Sequence, residues 1–354
     1  MDKFCIFCGN KPKTKNKEHI IPKWLIELTG DPNRGVEIGP ILDINKNKFE
    51  KRELAFDQFQ FPSCESCNQK YSSLEIKAKE IVLRLINEDD LSEKDFMIFL
   101  DWLDKIRIGL WLGYNYLQKN LSEVEPNYYI DKRIAKSDRS VFIYKSDYAK
   151  MHLSFGGVNV PAFQYFPTCF FIAINQYIFY NLATDFLISE RIGLPHSVES
   201  TYTDSGNEVQ FRIREGKKLI QFPLIKKAFN KKCTQIYQPI FCRPEIRSNI
   251  AELYENDFVH SISFDHAVGI GKVFIADNNK INEYPTNSSK KWIPNVIWDY
   301  QELFNILGKQ VLEFQLYSIN NGPRFGNISL ERRKIIKERL HIAKQINILA
   351  LGSN

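Results

Sequence analysis

The sequence lacks the features that mark membrane and secreted proteins. No stretch of its 354 residues is apolar for long enough to span a bilayer, and the first residues lack the apolar run of a secretory signal peptide. Internal repeats and low-complexity tracts are also absent from the sequence. We therefore expect a folded cytoplasmic protein whose thiols are reduced.

Length and composition favour a globular protein with two domains. The chain is long enough for two domains of ordinary size. Its 44% of hydrophobic and 25% of charged residues exclude a disordered chain, and its many phenylalanines and tyrosines predict a well-filled core that contains strands. The net charge of +6 favours a polyanionic partner, nucleic acid first.

Cysteine is scarce, but four of the seven cysteines form two Cys-x-x-Cys pairs, Cys5 with Cys8 and Cys64 with Cys67. In a reducing compartment such pairs are metal ligands, so we expect the four thiolates to hold one Zn²⁺ tetrahedrally. A closed site of four sulfurs has no open position, so this zinc would be structural. It would tie the N-terminus to the start of a long helix. The alternative is two unrelated cysteine pairs.

Histidine is scarce as well, and His19 is the only one in the first 151 residues. It follows Glu18 and lies between the two cysteine pairs. Hydrolysis of a phosphodiester needs a base for the attacking water, a role that suits histidine, and a cation for the charge that develops on the phosphate. Glu18 and the amide oxygen of Asn68, directly after the second pair, are hard ligands for Mg²⁺ or Mn²⁺.

These motifs resemble the HNH endonucleases, members of the His-Me finger (ββα-metal) nucleases. The family's general base falls on His19, its metal-binding carboxylate on Glu18, and the final His of its name on Asn68. The resemblance covers roughly the first quarter of the chain and implies an endonuclease that leaves 5′-phosphate and 3′-hydroxyl ends. It also implies that a zinc knuckle accompanies the nuclease module.

Two positions of the motif have no single assignment in this sequence. The family's middle Asn lies on the second strand, where this sequence offers Gln58 and Gln60, and neither is a clean match. The stretch from Cys67-Asn68 to Glu75 resembles a bacterial subgroup in which Glu75 would be an extra ligand or would support one. The alternative is a solvated glutamate that pairs with Lys79 four residues further along the helix.

Lysines surround the candidate site. The alternating lysines of residues 11–17 form either a solvated loop or an arm that contacts phosphates. The candidate nucleic-acid contacts are Lys13, Lys15, Lys17, Lys23 and Lys70.

The pattern of the first 90 residues predicts the nuclease module with its structural zinc. We expect a strand at residues 18–21, a helix from Pro22 that stops at Gly30, and a long helix from the second cysteine pair to about residue 87. Residues 31–57 have no clear pattern and are predicted to be irregular, with a turn at residues 45–48. Another strand is predicted at residues 59–61.

Residues 91–354 predict a larger C-terminal α+β domain of unrecognised fold. It begins with an amphipathic helix over residues 93–118, capped by Ser92 and Asp95, and ends with a basic helix over residues 329–346. Between them the pattern predicts strands at residues 141–144, 169–179, 209–213, 219–222 and within 259–276. The whole chain is therefore expected to be an α+β protein.

The sequence as a whole favours a metal-dependent HNH endonuclease that acts on double-stranded DNA. The second domain would read sequence, bind a signal molecule or dock a regulatory protein. A large second domain favours an effector of bacterial antiphage defence or restriction over a homing endonuclease of a mobile element. The rival hypothesis is a catalytically inactive, zinc-stabilised DNA-binding or scaffold protein whose C-terminal domain carries the function.

Overall fold

The fold is that of a computed structural model. It describes residues 4–8, 10–13, 16–43, 48–117, 138–165, 167–184, 186–194, 196–202, 209–214, 232–239, 271–277, 280–285, 292–321 and 330–352. These residues form both helices and strands, which confirms the mixed α and β composition. Of the helices in this part of the chain, none combines the length and the apolar character that crossing a membrane requires.

The N-terminal part of the chain builds two small antiparallel sheets and two helices. Its elements are β1 (Asn16–His19), α1 (Lys23–Leu28), β2 (Gly35–Asp43), β3 (Lys48–Ala55), a 3₁₀ turn (Phe56–Gln58), β4 (Gln60–Ser63) and α2 (Glu65–Ile86). β1 pairs with β4, and β2 pairs with β3. The predicted helix after Pro22 and the predicted long helix are both present, and the strand predicted at residues 18–21 begins and ends two residues earlier.

The prediction of irregular chain over residues 31–57 is wrong, because β2 and β3 form a hairpin there. The sequence pattern did not indicate this hairpin because Gly39 and Pro40 lie within β2, and both residue types are depleted in strand interiors. The register of the two strands shifts between Ile38 and Ile41, as expected where such residues interrupt a strand. Most of the turn predicted at residues 45–48 lies outside the described residues.

The rest of the chain builds a larger sheet with helices on both of its faces. Its elements are α3 (Glu93–Leu117), β5 (Asp138–Ser146), β6 (Leu153–Gly156), α4 (Pro161–Tyr165), β7 (Cys169–Ile174), β8 (Tyr177–Thr184), α5 (Leu187–Ile192), β9 (His196–Tyr202), β10 (Val209–Arg214), β11 (Thr234–Pro239), β12 (Phe274–Asp277), β13 (Lys280–Glu283), β14 (Ile297–Trp298), α6 (Tyr300–Asn321) and α7 (Leu330–Gly352). Among the described strands the order is β13-β12-β11-β5-β8-β7-β6. β14 pairs in parallel with β5, and β9 pairs with β10 apart from this sheet.

Several predictions for this part need correction. The apolar run of residues 169–179 is not one strand but the hairpin of β7 and β8, which turns at Asn175 with φ of +52°. Asparagine tolerates this left-handed conformation, and the short turn is easily missed within an apolar run. α7 extends past residue 346, and α6 was not predicted. Residues 219–222 and most of 259–276 lie outside the described part of the chain.

α3 lies between the N-terminal elements and the sheet. On β5, Val141 and Ile143 belong to the core that also contains α3 and the N-terminal elements. Phe142 and Tyr144, on the opposite face of the same strand, belong to a second core with α6. The first core therefore continues across the boundary predicted near residue 90.

α3 is buried on nearly all sides, although its pattern predicted an amphipathic helix. Its predicted cap is present, since the Ser92 N–H donates to Asp95 Oδ2 at 2.7 Å and the Asp95 N–H donates to Ser92 Oγ at 3.2 Å. The charged side chains of Asp101, Lys105 and Arg107 are buried along with the apolar ones. Buried charges are costly unless they are paired, so these side chains must find partners in the layers on either side.

Two glycines let α3 approach the N-terminal elements closely. A Cβ atom at Gly109 would lie 3.0 Å from the Ile20 side chain, and a Cβ atom at Gly113 would lie 2.7 Å from the Phe61 ring. Because real Cβ atoms do not come so close to a buried ring, Gly113 has to be glycine at this separation.

Replacing Gly113 with alanine is expected to lower the free energy of unfolding. Overpacking costs about 1–3 kcal/mol, which exceeds the gain in helix propensity of up to about 1 kcal/mol. Gly308 on α6 is the control, since a Cβ atom there meets no atom within 4 Å and Gly308→Ala should be stabilising. Urea denaturation measures both variants, and equal stabilisation of the two would contradict the close packing of α3.

Candidate metal centre and catalytic site

The four paired cysteines converge at the start of α2. Cys64 directly precedes this helix, and Cys67 lies in its first turn. The Sγ atoms of Cys5, Cys8, Cys64 and Cys67 all lie within 4.8 Å of one another, and those of Cys8 and Cys64 are 3.6 Å apart. A tetrahedral zinc ion with Zn–S bonds of about 2.3 Å places its sulfurs about 3.8 Å apart. The cluster could therefore hold a metal ion such as zinc.

The surroundings of these thiols shift their pKa values and so affect how readily a cation displaces their protons. Burial raises the pKa of Cys8 to about 11 and lifts the pKa of Cys67 well above its ordinary value. Burial also acts on Cys64, but hydrogen bonds from Ser66 and from the Cys67 N–H outweigh it and lower the pKa of Cys64 to about 6. A bound cation favours the thiolate at every ligand, so metal affinity should fall as the pH falls.

His19 ends β1 directly opposite Gln60, the first residue of β4. The side-chain amide nitrogen of Gln60 lies 2.9 Å from Nε2 of His19. Rotation of an amide by 180° exchanges its donor for an acceptor, so Gln60 can hold either tautomer of the imidazole. Of the two glutamines that the sequence offered for this position, Gln60 contacts the ring, whereas Gln58 is exposed in the 3₁₀ turn.

Glu18, the residue before His19, has a different set of partners. Lys105 of α3 donates from Nζ to Glu18 Oε1 at 3.0 Å and to Glu75 Oε1 at 2.5 Å. The other carboxylate oxygen of Glu18, Oε2, accepts no hydrogen bond from the described residues. The carboxylate is thus fixed at one oxygen by an ion pair and retains a second oxygen for another ligand.

Glu75 is not the solvated residue that one interpretation of the sequence predicted. Its Oε2 accepts hydrogen bonds from the indole N–H groups of Trp24 at 2.9 Å and Trp102 at 3.3 Å. Its Oε1 pairs with Lys105 rather than with Lys79. The glutamate therefore anchors α1 and α3 to α2. We call this group the Lys105 cluster: Lys105, Glu18, Glu75, Trp24 and Trp102.

Lys105 is the contributor to this site that the sequence analysis missed. Burial disfavours its ammonium group, but the attraction of Glu75 and Glu18 outweighs burial, and the pKa of Lys105 lies above its ordinary value. The sequence does contain a signal that Lys105 faces this site. Trp102, Lys105, Gly109 and Gly113 recur at spacings of three and four, which places them on one face of α3. That face contacts the N-terminal elements.

Asn68 lies beside Cys67 in the first turn of α2 and is half-buried. Within the described residues its side chain makes no hydrogen bond to His19 or to Glu18. Asn68 follows Cys67 on α2, whereas His19 lies on β1, which pairs with β4, the strand before that helix. Among the described residues, hydrogen bonds thus join His19 to Gln60 and Glu18 to Lys105, but none joins Asn68 to His19 or Glu18.

The predicted nucleic-acid contacts are only partly described. Lys13, Lys17 and Lys23 have exposed side chains in the N-terminal part of the chain. Lys15 and the side chain of Lys70 lie outside the part that the structure describes. Lys23 lies on α1, where its Nζ is 3.9 Å from Glu27 Oε1.

No protein-family model, no curated protein and no solved structure matches this chain.

Proposed function

We propose that this protein is a metal-dependent HNH endonuclease that hydrolyses phosphodiester bonds in double-stranded DNA. The observation that carries the proposal is the order of β1, β4 and α2 around His19. This histidine ends the first strand, Gln60 on the second strand contacts its ring, and α2 follows directly behind the clustered cysteines. The arrangement supports the strand–strand–helix nuclease module that the motif resembles.

His19 would act as the general base. Its neutral imidazole takes a proton from a water molecule, whose oxygen attacks the phosphorus in line with the leaving oxygen. The bond from phosphorus to the 3′-oxygen breaks, that oxygen takes a proton from solvent, and the phosphate stays on the 5′ end. When Gln60 presents its amide oxygen to the Nε2–H, the basic lone pair of the imidazole lies on Nδ1.

Glu18 and Asn68 would hold the catalytic Mg²⁺ or Mn²⁺. Both offer hard oxygen ligands, and Glu18 retains Oε2 while Lys105 holds Oε1. Such an ion, once bound, supplies positive charge to the phosphate and the departing oxygen. The four sulfurs of the cysteine cluster are soft ligands, so zinc and the catalytic ion would occupy separate sites.

The charge and the thiols support the wider setting of the proposal. The net charge of +6 and the exposed lysines of the N-terminal part favour a polyanion. A cluster of four free thiols favours the reducing cytoplasm. In that setting we propose that the protein is an effector of antiphage defence or restriction. The part of the chain after residue 90, which contains the larger sheet, would respond to a regulatory protein or a signal molecule.

Nicking of supercoiled plasmid tests the proposal. Purified protein is incubated with the plasmid and Mg²⁺, Mn²⁺ or EDTA, and the cut ends are analysed. We expect nicked and then linear DNA with either metal, none with EDTA, and ends that a ligase can reseal because they carry 5′-phosphate and 3′-hydroxyl groups. Protein that contains zinc and binds DNA but never cuts it would favour the inactive DNA-binding protein instead.

A further inference from the structure

A buried lysine reaches Glu18 from outside the predicted nuclease module. The side chain of Lys105 is 1% exposed, and its Nζ lies 3.0 Å from Glu18 Oε1 and 2.5 Å from Glu75 Oε1. Burying an ammonium group costs several kcal/mol unless it is paired. The two carboxylates therefore determine where this ammonium lies.

The remaining contacts make Lys105 a fixed point rather than a mobile side chain. Glu75 is itself held by the indole N–H groups of Trp24 and Trp102. The ring of Tyr71 lies 5.7 Å from Nζ, within the range of a cation–π contact. Of the three ionised groups, only Glu18 has no second anchor in the described residues, so its orientation depends on Lys105.

α3 is also joined to the sheet by ion pairs. Arg139 of β5 lies 2.5 Å from Asp101 Oδ1 and 3.0 Å from Asp104 Oδ2, and all three side chains are largely buried. α3 is therefore anchored by ion pairs both to the N-terminal elements and to the sheet, and Lys105 projects toward Glu18 from a helix whose position the sheet determines.

The charge of the group is compatible with a bound cation. Glu18 and Glu75 carry two negative charges and Lys105 one positive charge, so the three groups together carry −1. The ammonium holds Oε1 of Glu18, while Oε2 is left for a metal ion. A carboxylate with one oxygen fixed in this way presents its second oxygen in a defined direction.

We propose that Lys105 is a positioning residue that holds the Glu18 carboxylate in the orientation needed to bind the catalytic cation. The inference rests on the proposed nuclease function. α3, which lies beyond the first 90 residues, then completes the nuclease site. The first 90 residues alone would lack this support.

The test compares cleavage by the Lys105→Met variant of the full chain with Mg²⁺ and with Mn²⁺. Methionine keeps the length of the side chain and removes its charge. We expect the Mg²⁺-supported rate to fall by about tenfold to a hundredfold, the effect of a misplaced catalytic group. Mg²⁺ demands near-ideal octahedral geometry, whereas the larger Mn²⁺ tolerates a displaced ligand. The ratio of the Mn²⁺ rate to the Mg²⁺ rate should therefore rise about tenfold.

Two further variants separate positioning from folding. Arg107 is a buried cation on the same helix, but it contacts Asn181 at 2.9 Å and Asp104 at 3.0 Å on the side of the sheet. Arg107→Met should lower the cleavage rate by the same factor with Mg²⁺ and with Mn²⁺, if it lowers the rate at all. If Lys105→Met does not fold, the double variant Lys105→Met with Glu75→Gln replaces it, because this variant also removes the second carboxylate that Lys105 had paired. The double variant should show the same rise in the ratio of the Mn²⁺ rate to the Mg²⁺ rate.

Each outcome decides between distinct claims. A wild-type protein that cuts, together with a Lys105→Met variant whose metal ratio is unchanged, overturns the positioning role alone. Equal loss of rate with both metals also overturns that role, because a merely structural lysine predicts such a loss. A wild-type protein that never cuts overturns the nuclease function and this inference with it.

Discussion

Replacing His19 with alanine is expected to reduce plasmid nicking by about 10²–10⁴-fold, the contribution of a general base. Alanine removes the imidazole that ends β1 and leaves the Gln60 amide without its ring partner. His19 is not among the clustered sulfur ligands, so the variant should contain as much zinc as the wild type. Initial rates of nicking with saturating Mg²⁺, at matched protein and zinc concentrations, measure the effect.

His341 provides the matched control for this variant. It is a histidine with an exposed side chain on α7, far along the chain from the N-terminal module. His341→Ala should cut at the wild-type rate. A His19→Ala variant that folds, holds zinc and cuts as fast as the control would remove His19 from the chemistry.

Replacing Cys64 with serine should abolish zinc binding and unfold the N-terminal module. The four clustered cysteines lie on two segments of the chain, and Cys64 lies where β4 meets α2. Its loss would remove one of the proposed metal links between the two segments. Structural zinc in zinc-finger peptides contributes about 10–16 kcal/mol of folding free energy. We expect the zinc content to fall from one ion per chain to none, and the first 90 residues to become sensitive to protease.

Cys233 is the control for the clamp, because it is a half-buried cysteine outside the cluster. Cys233→Ser should retain one zinc ion and the wild-type protease pattern. Retention of zinc and of protease resistance by Cys64→Ser would show that these four sulfurs do not hold a structural metal.

The parts of the fold that the sequence predicted are those set by local signals. Pro22 directly precedes α1, Ser92 and Asp95 cap α3, and the two cysteine pairs lie where a single ion can join them. Each of these signals acts within a few residues of the chain or through a fixed ligand spacing.

The Lys105 cluster was not predicted, because its contacts join distant parts of the chain. Lys105 is 87 positions from Glu18 and 30 positions from Glu75. A lysine within a helix is ordinarily solvated, and a single sequence does not show that a second layer covers it. The stronger clue was the pair of glycines, Gly109 and Gly113, in line with Lys105 on α3. Glycines at this spacing mark a face that packs closely.

The hairpin of β2 and β3 and the turn at Asn175 were missed for a related reason. Strand pairing is stabilised by contacts across strands rather than by the residues of one strand alone. At Gly39 and Pro40 the pattern breaks although the strand continues, whereas only two polar residues, Asn175 and Gln176, separate the two apolar strands β7 and β8. Periodicity read along one segment cannot distinguish these cases.

The location of the two metals tests the central claim most directly. Crystals grown with Mn²⁺ allow anomalous diffraction to locate zinc and manganese separately. We predict zinc among the sulfurs of the two cysteine pairs, and manganese bound by Glu18 Oε2 and the Asn68 amide oxygen, one water away from the His19 ring. Manganese bound elsewhere, with the His19 ring facing no metal, would contradict the proposed nuclease site.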